Sequence, residues 1–209
     1  MCIRDRVNTI RENELVLMVE TGHFASLWNK MALRLGIKTE FLETDWRRGV
    51  VPEKLFDRLQ KDTKNQIKAV CVVHNETSTG CASRIEEVRK VLNSANHNAL
   101  LMVDTISGLA SMEYKHDEWG VDITVSGSQK GLMLPPGLSF NAISDKALRI
   151  AKTSGMRRSY WDWEEQIEAN KSGSFPYTPA TNLLYGLKEA INTFSYTHLR
   201  AHETCVHLV

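Results

Sequence analysis

Two residues of the chain are of types that could perform chemistry together, Asp104 and Lys130. Asp104 ends the short apolar run 100–103, and Lys130 follows a second apolar run, 121–125, through the sequence Ser-Gly-Ser-Gln. Short apolar runs bounded by turn residues are typical of the buried strands of a parallel sheet. Because ligands of such sheets bind beyond the carboxyl ends of the strands, we expect the carboxylate and the amine to share one site.

A carboxylate and an amine in this arrangement suit pyridoxal phosphate. Asp104 could hold the ring nitrogen of that cofactor in its protonated, electron-withdrawing form. Lys130 could bond to the cofactor's aldehyde and, once displaced by an amino-acid substrate, carry a proton. Taken alone, the lysine could be a solvated surface charge and the aspartate a helix cap. The presence of each residue beside the other argues against both of these alternatives.

The two motifs resemble the cofactor-binding core of the class V aminotransferases. The resemblance rests on the sequences Val-Asp-Thr-Ile-Ser-Gly at 103–108 and Ser-Gly-Ser-Gln-Lys at 126–130, and it extends roughly over residues 7–194. It is closest to the serine–glyoxylate and alanine–glyoxylate aminotransferase branch. It implies an α/β fold with a mostly parallel sheet sandwiched by helices, which is the large domain of fold type I, here incomplete. It also implies transfer of an amino group from serine or alanine to glyoxylate, giving glycine, by a full-length parent enzyme that is a homodimer.

The resemblance assigns cofactor contacts to five further residues. Phe24 would stack on one face of the pyridine ring, and Ile106 would press on the other face. Gln129 would help to hold the phosphate, and Thr77, in a polar loop at 74–80, would contact the cofactor. Thr178 would reach the phosphate bound by the neighbouring subunit. On the residues alone, Phe24 could also be a core side chain, and the loop around Thr77 could be a simple polar turn.

The hydrophobic pattern predicts the elements that must position these residues. Apolar runs predict strands at 15–19, 37–42, 69–73, 100–103, 121–125 and 138–143. Helical spacing of apolar residues predicts helices near 24–35, 52–59, 85–92, 145–150 and 183–191. Strand–helix–strand units with short connections favour right-handed parallel crossovers.

Composition restricts the classes of partner. The chain has a net charge of +1, which gives no indication of a nucleic acid or a membrane as a partner. No apolar run approaches the roughly 20 residues that span a bilayer, and the N-terminus lacks the apolar segment of a signal peptide. The 4 cysteines show no paired spacing, which favours a reduced, cytoplasmic setting. The expected partners are small amino-acid and oxo-acid substrates.

Both ends of the chain resemble translated sequencing-adapter tails. We expect residues 1–6, which fit no predicted element, and residues 195–209, which interrupt a helical pattern, to be non-native. The second tail carries His198, His202, Cys205 and His207 at a spacing that a metal site could use. We interpret that spacing as accidental and predict no metal.

The resembled family places further phosphate ligands before residue 7 and a substrate-binding arginine after residue 194, so we expect a central fragment that lacks full activity.

A cysteine desulfurase or lyase of the same family would need a mobile cysteine in a loop rich in glycine and serine, and the chain shows none. A non-catalytic α/β nucleotide-binding domain would need a glycine-rich phosphate loop after the first strand. The sequence Thr-Gly-His at 21–23 does not provide that loop.

Overall fold

The computed structural model describes residues 3–154 and 156–194, and these residues are built around a six-stranded sheet. The strands of this sheet are β1 (Leu15–Val19), β2 (Lys38–Leu42), β3 (Ile67–Val73), β6 (Leu100–Asp104), β7 (Ile123–Gly127) and β8 (Ser139–Ile143). Their order is β2-β1-β3-β6-β7-β8, and only β8 is antiparallel to its neighbour. A small hairpin, β4 (Asn75–Glu76) and β5 (Cys81–Ala82), follows β3.

Helices cover both faces of the sheet. They are α1 (Arg4–Thr9), α2 (His23–Arg34), α3 (Pro52–Lys61), α4 (Ile85–Ser94), α5 (Asp145–Ala151), α6 (Trp163–Lys171) and α7 (Thr181–Phe194). Val16 and Met18 of β1 pack in one hydrophobic core with α2 and α5, whereas Leu17 and Val19 pack in a second core with α3 and α4. Strands buried on both faces are apolar at nearly every position, which explains the continuous apolar runs. The predicted α/β fold with a mostly parallel sheet is confirmed.

The structure tests the prediction for one of the two terminal segments, 1–6, but not for the other, 195–209. The expectation that residues 1–6 fit no element is wrong for Arg4, Asp5 and Arg6, which form the first turn of α1. That these residues are foreign to the protein stays a prediction. Residues 195–209, with the four possible metal ligands, lie outside the described residues. Within 3–154 and 156–194, no cluster of three histidine, cysteine or acidic side chains could hold a metal ion, and no helix is long and apolar enough to span a bilayer.

Helix α1 carries a buried ion pair that lacks most of its hydrogen bonds. Asp5 and Arg6 are both fully buried, and Arg6 Nε lies 3.4 Å from Asp5 Oδ2. Neither carboxylate oxygen of Asp5 has a hydrogen-bond partner among the described residues, and the same is true of Arg6 Nε and Nη1. The guanidinium lies 4.6 Å from the ring centroid of Trp28, and Nη2 donates to the sulfur of Met18. Burial raises the pKa of Asp5 to about 6; the charge of Arg6 opposes that rise, and the charge of Asp104 adds to it.

Replacing this pair by apolar residues should stabilise the chain. Asp5→Ala combined with Arg6→Met should raise the free energy of unfolding by about 1–4 kcal/mol, because apolar packing often replaces a buried ion pair favourably. Asp5→Ala alone should lower it by about 3–5 kcal/mol, since it leaves a buried cation unpaired. Urea unfolding of the parent, both single variants and the double variant measures these differences.

The same pair should make stability depend on pH. The pKa of Asp5 is higher in the folded state, so the folded chain binds the proton more tightly than the unfolded chain. The contribution of Asp5 to the free energy of unfolding should therefore fall as the pH rises from about 3.8 to about 6, and the double variant should lack that contribution. A double variant that is less stable than the parent would contradict the assignment of the pair as destabilising.

Candidate active site

A cavity of about 160 Å³ lies where β3, β6 and β7 end. These three strands are parallel neighbours, and their register places Asp104 between Val73 of β3 and Val125 of β7. The lining residues are Phe24, Val73, Asn75, Thr77, Asp104, Ile106, Ser107, Gln129 and Lys130. The structure therefore brings together six of the seven predicted site residues, and only Thr178 lies elsewhere.

Asp104 is held at the floor of the cavity by the backbone that follows it. It is the last residue of β6 and is 4% exposed. The backbone N–H of Ile106 donates to Asp104 Oδ1 at 2.8 Å, and the N–H of Thr105 donates to the carbonyl of Val125 at 2.8 Å, which joins the ends of β6 and β7. Burial raises the pKa of Asp104 to about 6, the Ile106 hydrogen bond opposes that rise, and the charge of Glu76 adds to it.

Lys130 projects from a compact turn that follows β7. Ser128 is fully buried at the base of this turn, where its hydroxyl donates to the carbonyl of Pro135 at 2.7 Å and accepts from the N–H of Leu138 at 3.2 Å. The N–H of Met133 closes the turn on the carbonyl of Lys130 at 2.8 Å. The buried serine therefore anchors the turn, while Lys130 itself is exposed.

The loop after Asp104 touches the loop that carries Lys130. A Cβ added to Gly131 would lie 2.2 Å from the carbonyl oxygen of Leu109, so only glycine fits between the two backbones. Because this contact joins the loop that follows the acid to the residue that follows the amine, it restrains the two loops relative to each other.

The remaining walls include residues that the sequence did not identify. Ser107 Oγ donates to the carbonyl of Asn75 at 2.7 Å and accepts from the side-chain amide of Asn75 at 3.2 Å. Both residues lie in the motifs that predicted the site, so their sequence neighbourhood was a usable signal. Phe24, in the first turn of α2, and Thr77, just after β4, also line the cavity.

Thr178 lines a different and larger cleft. This cleft has a volume of about 400 Å³ and contains many aromatic side chains, among them Tyr160, Trp161, Phe175 and Tyr177. The separation of Thr178 from Lys130 within one chain agrees with a role toward a neighbouring subunit, and that role stays a prediction.

The side chains around the cavity fit pyridoxal phosphate. A buried carboxylate favours a protonated ring nitrogen beside it, because a nearby cation offsets the cost of burying its charge. An amine suits the aldehyde, and a phenyl ring and a branched aliphatic side chain suit the two faces of a flat ring. Thr77 and Gln129 supply a hydroxyl and an amide for polar substituents.

Comparisons with known proteins point to one family. A sequence model described as Aminotransferase class-V matches residues 2–207. The chain is 48% identical over 189 residues to serine–glyoxylate aminotransferase of Methylorubrum extorquens, which covers 88% of this chain and 47% of that protein. It is 41% identical over 180 residues to L-aspartate–glyoxylate aminotransferase of Paracoccus denitrificans, which covers 86% and 46%.

A solved structure of another glyoxylate aminotransferase also matches the fold of the chain. Ureidoglycine–glyoxylate aminotransferase of Bacillus subtilis superposes with a TM-score of 0.84 at 26% identity, covering 94% of this chain and 50% of that one. The chain spans about half the length of the relatives it matches.

The contact at Gly131 generates a prediction. Gly131→Ala should lower the free energy of unfolding by about 1–3 kcal/mol, because the new methyl group meets rigid backbone. Gly186→Ala in α7 is a suitable control, since its methyl group would meet only the flexible end of Leu134, at 2.7 Å. That control should be neutral or slightly stabilising, because alanine favours a helix over glycine. Urea unfolding curves of both variants decide, and parental stability of Gly131→Ala would show that the two loops are not in contact.

Proposed function

Because the chain belongs to the class V aminotransferase family, we propose that it is the cofactor-binding core of an enzyme that transfers an amino group from serine or alanine to glyoxylate, giving glycine. The family predicted from the sequence motifs is confirmed by the match over residues 2–207. The observation that carries the proposal is the shared cavity of Asp104 and Lys130 at the ends of two adjoining parallel strands. Glyoxylate as acceptor is supported by the names of the relatives, and serine as donor by the higher identity to the serine-dependent relative.

The cofactor of the proposed reaction is pyridoxal phosphate, which when bound supplies an electron sink for negative charge at the substrate Cα. Asp104 would keep the ring nitrogen protonated, and its burial would strengthen that electrostatic interaction. Lys130 Nζ would hold the cofactor covalently and, once displaced by the substrate amine, would move a proton between the substrate Cα and the C4′ carbon of the cofactor. Its exposed position on the turn leaves room for a substrate amine to displace it.

The other predicted residues would bind and orient the cofactor. Phe24 and Ile106 would contact the two ring faces and exclude water from them. Thr77 and Gln129 would donate hydrogen bonds to the polar substituents, and Thr178 would bind the phosphate held by a partner subunit. The presence of the first four in one cavity supports these roles.

A homodimer of the full-length protein is part of the proposal. No residue of helix α7 is fully buried against the rest of the described chain, and Tyr185 is 75% exposed. Tyr160, which lines the Thr178 cleft, is 56% exposed, and Met133 is 74% exposed. Such exposed apolar side chains favour a surface that a second copy covers.

The cysteine desulfurase alternative is disfavoured by the two described cysteines. Cys71 is buried in β3, and burial raises the pKa of its thiol to about 11, so it is a poor nucleophile. Cys81 is buried, and its thiol donates to the carbonyl of Trp46. Both thiols are free, which supports the proposed cytoplasmic setting.

The proposal predicts where the cofactor attaches. After incubation with pyridoxal phosphate and reduction with borohydride, mass spectrometry of peptides should find the adduct on Lys130. The Lys130→Ala variant should lose the adduct, and in the full-length protein its rate of glycine formation from serine and glyoxylate should fall at least ~100-fold. Because the chain spans about half of its relatives, we expect the chain alone to be a poor catalyst.

Lys171→Ala is the matched control, since Lys171 is an exposed lysine on α6 that pairs with Glu168. It should keep both the adduct and the activity. An adduct spread over surface lysines, or turnover retained without Lys130, would refute the assignment.

A further inference from the structure

Glu76 is a fully buried carboxylate that does not itself line the cavity. Its Oε1 accepts from the backbone N–H of Phe24 and of Ser78, each at 3.2 Å, and from the Ser78 hydroxyl at 2.6 Å. Its Oε2 accepts from the backbone N–H of Ala25 at 3.1 Å. One carboxylate therefore joins two segments that are 52 residues apart in the sequence.

The N-terminus of α2 depends on this distant acid. The first N–H groups of a helix have no partners within the helix, and this end of the helix dipole is positive. The N-cap residue, Gly22, has no side chain, and the first turn contains no acidic residue. Glu76 supplies both the hydrogen-bond acceptors and the negative charge that a local cap would otherwise supply.

The junction between the two segments is closely packed. A Cβ added to Gly22 would lie 2.6 Å from Glu76 Cγ and 2.6 Å from Ser78 Oγ, so the carboxylate approaches the helix where glycine leaves room. Two further hydrogen bonds join the same segments, from the N–H of His23 to Ser78 Oγ at 2.9 Å and from Thr79 Oγ1 to the carbonyl of Thr21 at 3.1 Å.

Both segments carry a residue of the cavity wall. Glu76 accepts a hydrogen bond from the backbone N–H of Phe24, and Thr77 directly follows Glu76 in the sequence. We propose that Glu76 is a positioning residue, whose carboxylate fixes Phe24 and Thr77 relative to each other and thereby fixes how the site holds the aromatic ring of the cofactor. This inference rests on the proposed function for its ligand, but the link between the two segments does not.

The test compares Glu76→Gln with Asp62→Asn. Asp62 is also a buried carboxylate that accepts two backbone N–H groups, those of Gln66 at 3.0 Å and Ile67 at 2.7 Å, but it lies where β3 begins, at the opposite edge of the sheet. Both substitutions keep the shape of the side chain and replace one acceptor oxygen by a donor. Urea unfolding of the 209-residue chain first establishes how much stability each variant loses.

Hydrogen exchange without cofactor is the first readout. In Glu76→Gln the backbone amides of residues 22–26 and 76–79 should exchange ~10-fold faster or more than in the parent, because a hydrogen bond to a charged group is lost at both segments. Asp62→Asn should leave those amides unchanged. Parental exchange at both segments in Glu76→Gln would overturn the inference.

Binding of pyridoxal phosphate is the second readout. Glu76→Gln should raise the Kd for the cofactor ~10-fold or more and weaken the visible circular dichroism of the bound ring, while the adduct still forms at Lys130. Asp62→Asn, compared at equal stability in urea, should change neither quantity. Equal effects of the two variants would show that Glu76 acts only through general stability.

The two proposals fail separately. If the parent chain takes up no pyridoxal phosphate, the proposed function fails, and the exchange experiment still decides whether Glu76 fixes the two segments. If the parent binds the cofactor and Glu76→Gln binds it with parental Kd and dichroism, the positioning role is wrong while the proposed function stands.

Discussion

The parallel pairing of β6 between β3 and β7 determines where the chemical groups of the site lie. Because all three strands run in the same direction, their carboxyl ends meet at one edge, and the residues that follow them face one another. The pairing of Asp104 with Val73 and with Val125 places its carboxylate at the bottom of the cavity. The turn after β7 then brings Lys130 to the same cavity, and the close contact at Gly131 fixes the distance between their loops.

The structure buries several acids, and it compensates their burial unevenly. Glu76 is fully buried and accepts four hydrogen bonds, so its charge is satisfied. The Asp104 carboxylate accepts one hydrogen bond, from the backbone N–H of Ile106. Because burial disfavours its charge and raises its pKa, a nearby cation would stabilise the ionised form. Asp5 and Arg6 are equally buried, but both carboxylate oxygens of Asp5 and two of the three guanidinium nitrogens of Arg6 have no hydrogen-bond partner among the described residues. Hydrogen bonds therefore compensate the burial of the acids near the cavity, whereas most polar side-chain atoms of the pair in α1 have no such compensation.

Much of the fold follows from local sequence, and much of the site does not. Strands buried on both faces must be apolar at nearly every residue, so β1, β3 and β6 were predictable from their runs, and Asp104 stood out as the polar residue that ends one. The antiparallel direction of β8 has no local signature, because an apolar run does not encode its partner. Glu76 was hidden for a similar reason, since its hydrogen bonds to Phe24 and Ala25 form only after folding. The first turn of α1 lacks any apolar periodicity, so nothing in the sequence indicated a helix there.

We propose that the Asp104 carboxylate pairs with the ring nitrogen of a cofactor held by Lys130. The ¹⁵N chemical shift of ring-labelled pyridoxal phosphate bound to the chain tests it directly, at a pH above the pKa of about 6 that burial gives Asp104. We expect the parent chain to show the shift of a protonated pyridine nitrogen. The Asp104→Asn variant should show the shift of an unprotonated nitrogen. An unprotonated nitrogen in the parent, or the same shift in both proteins, would contradict it.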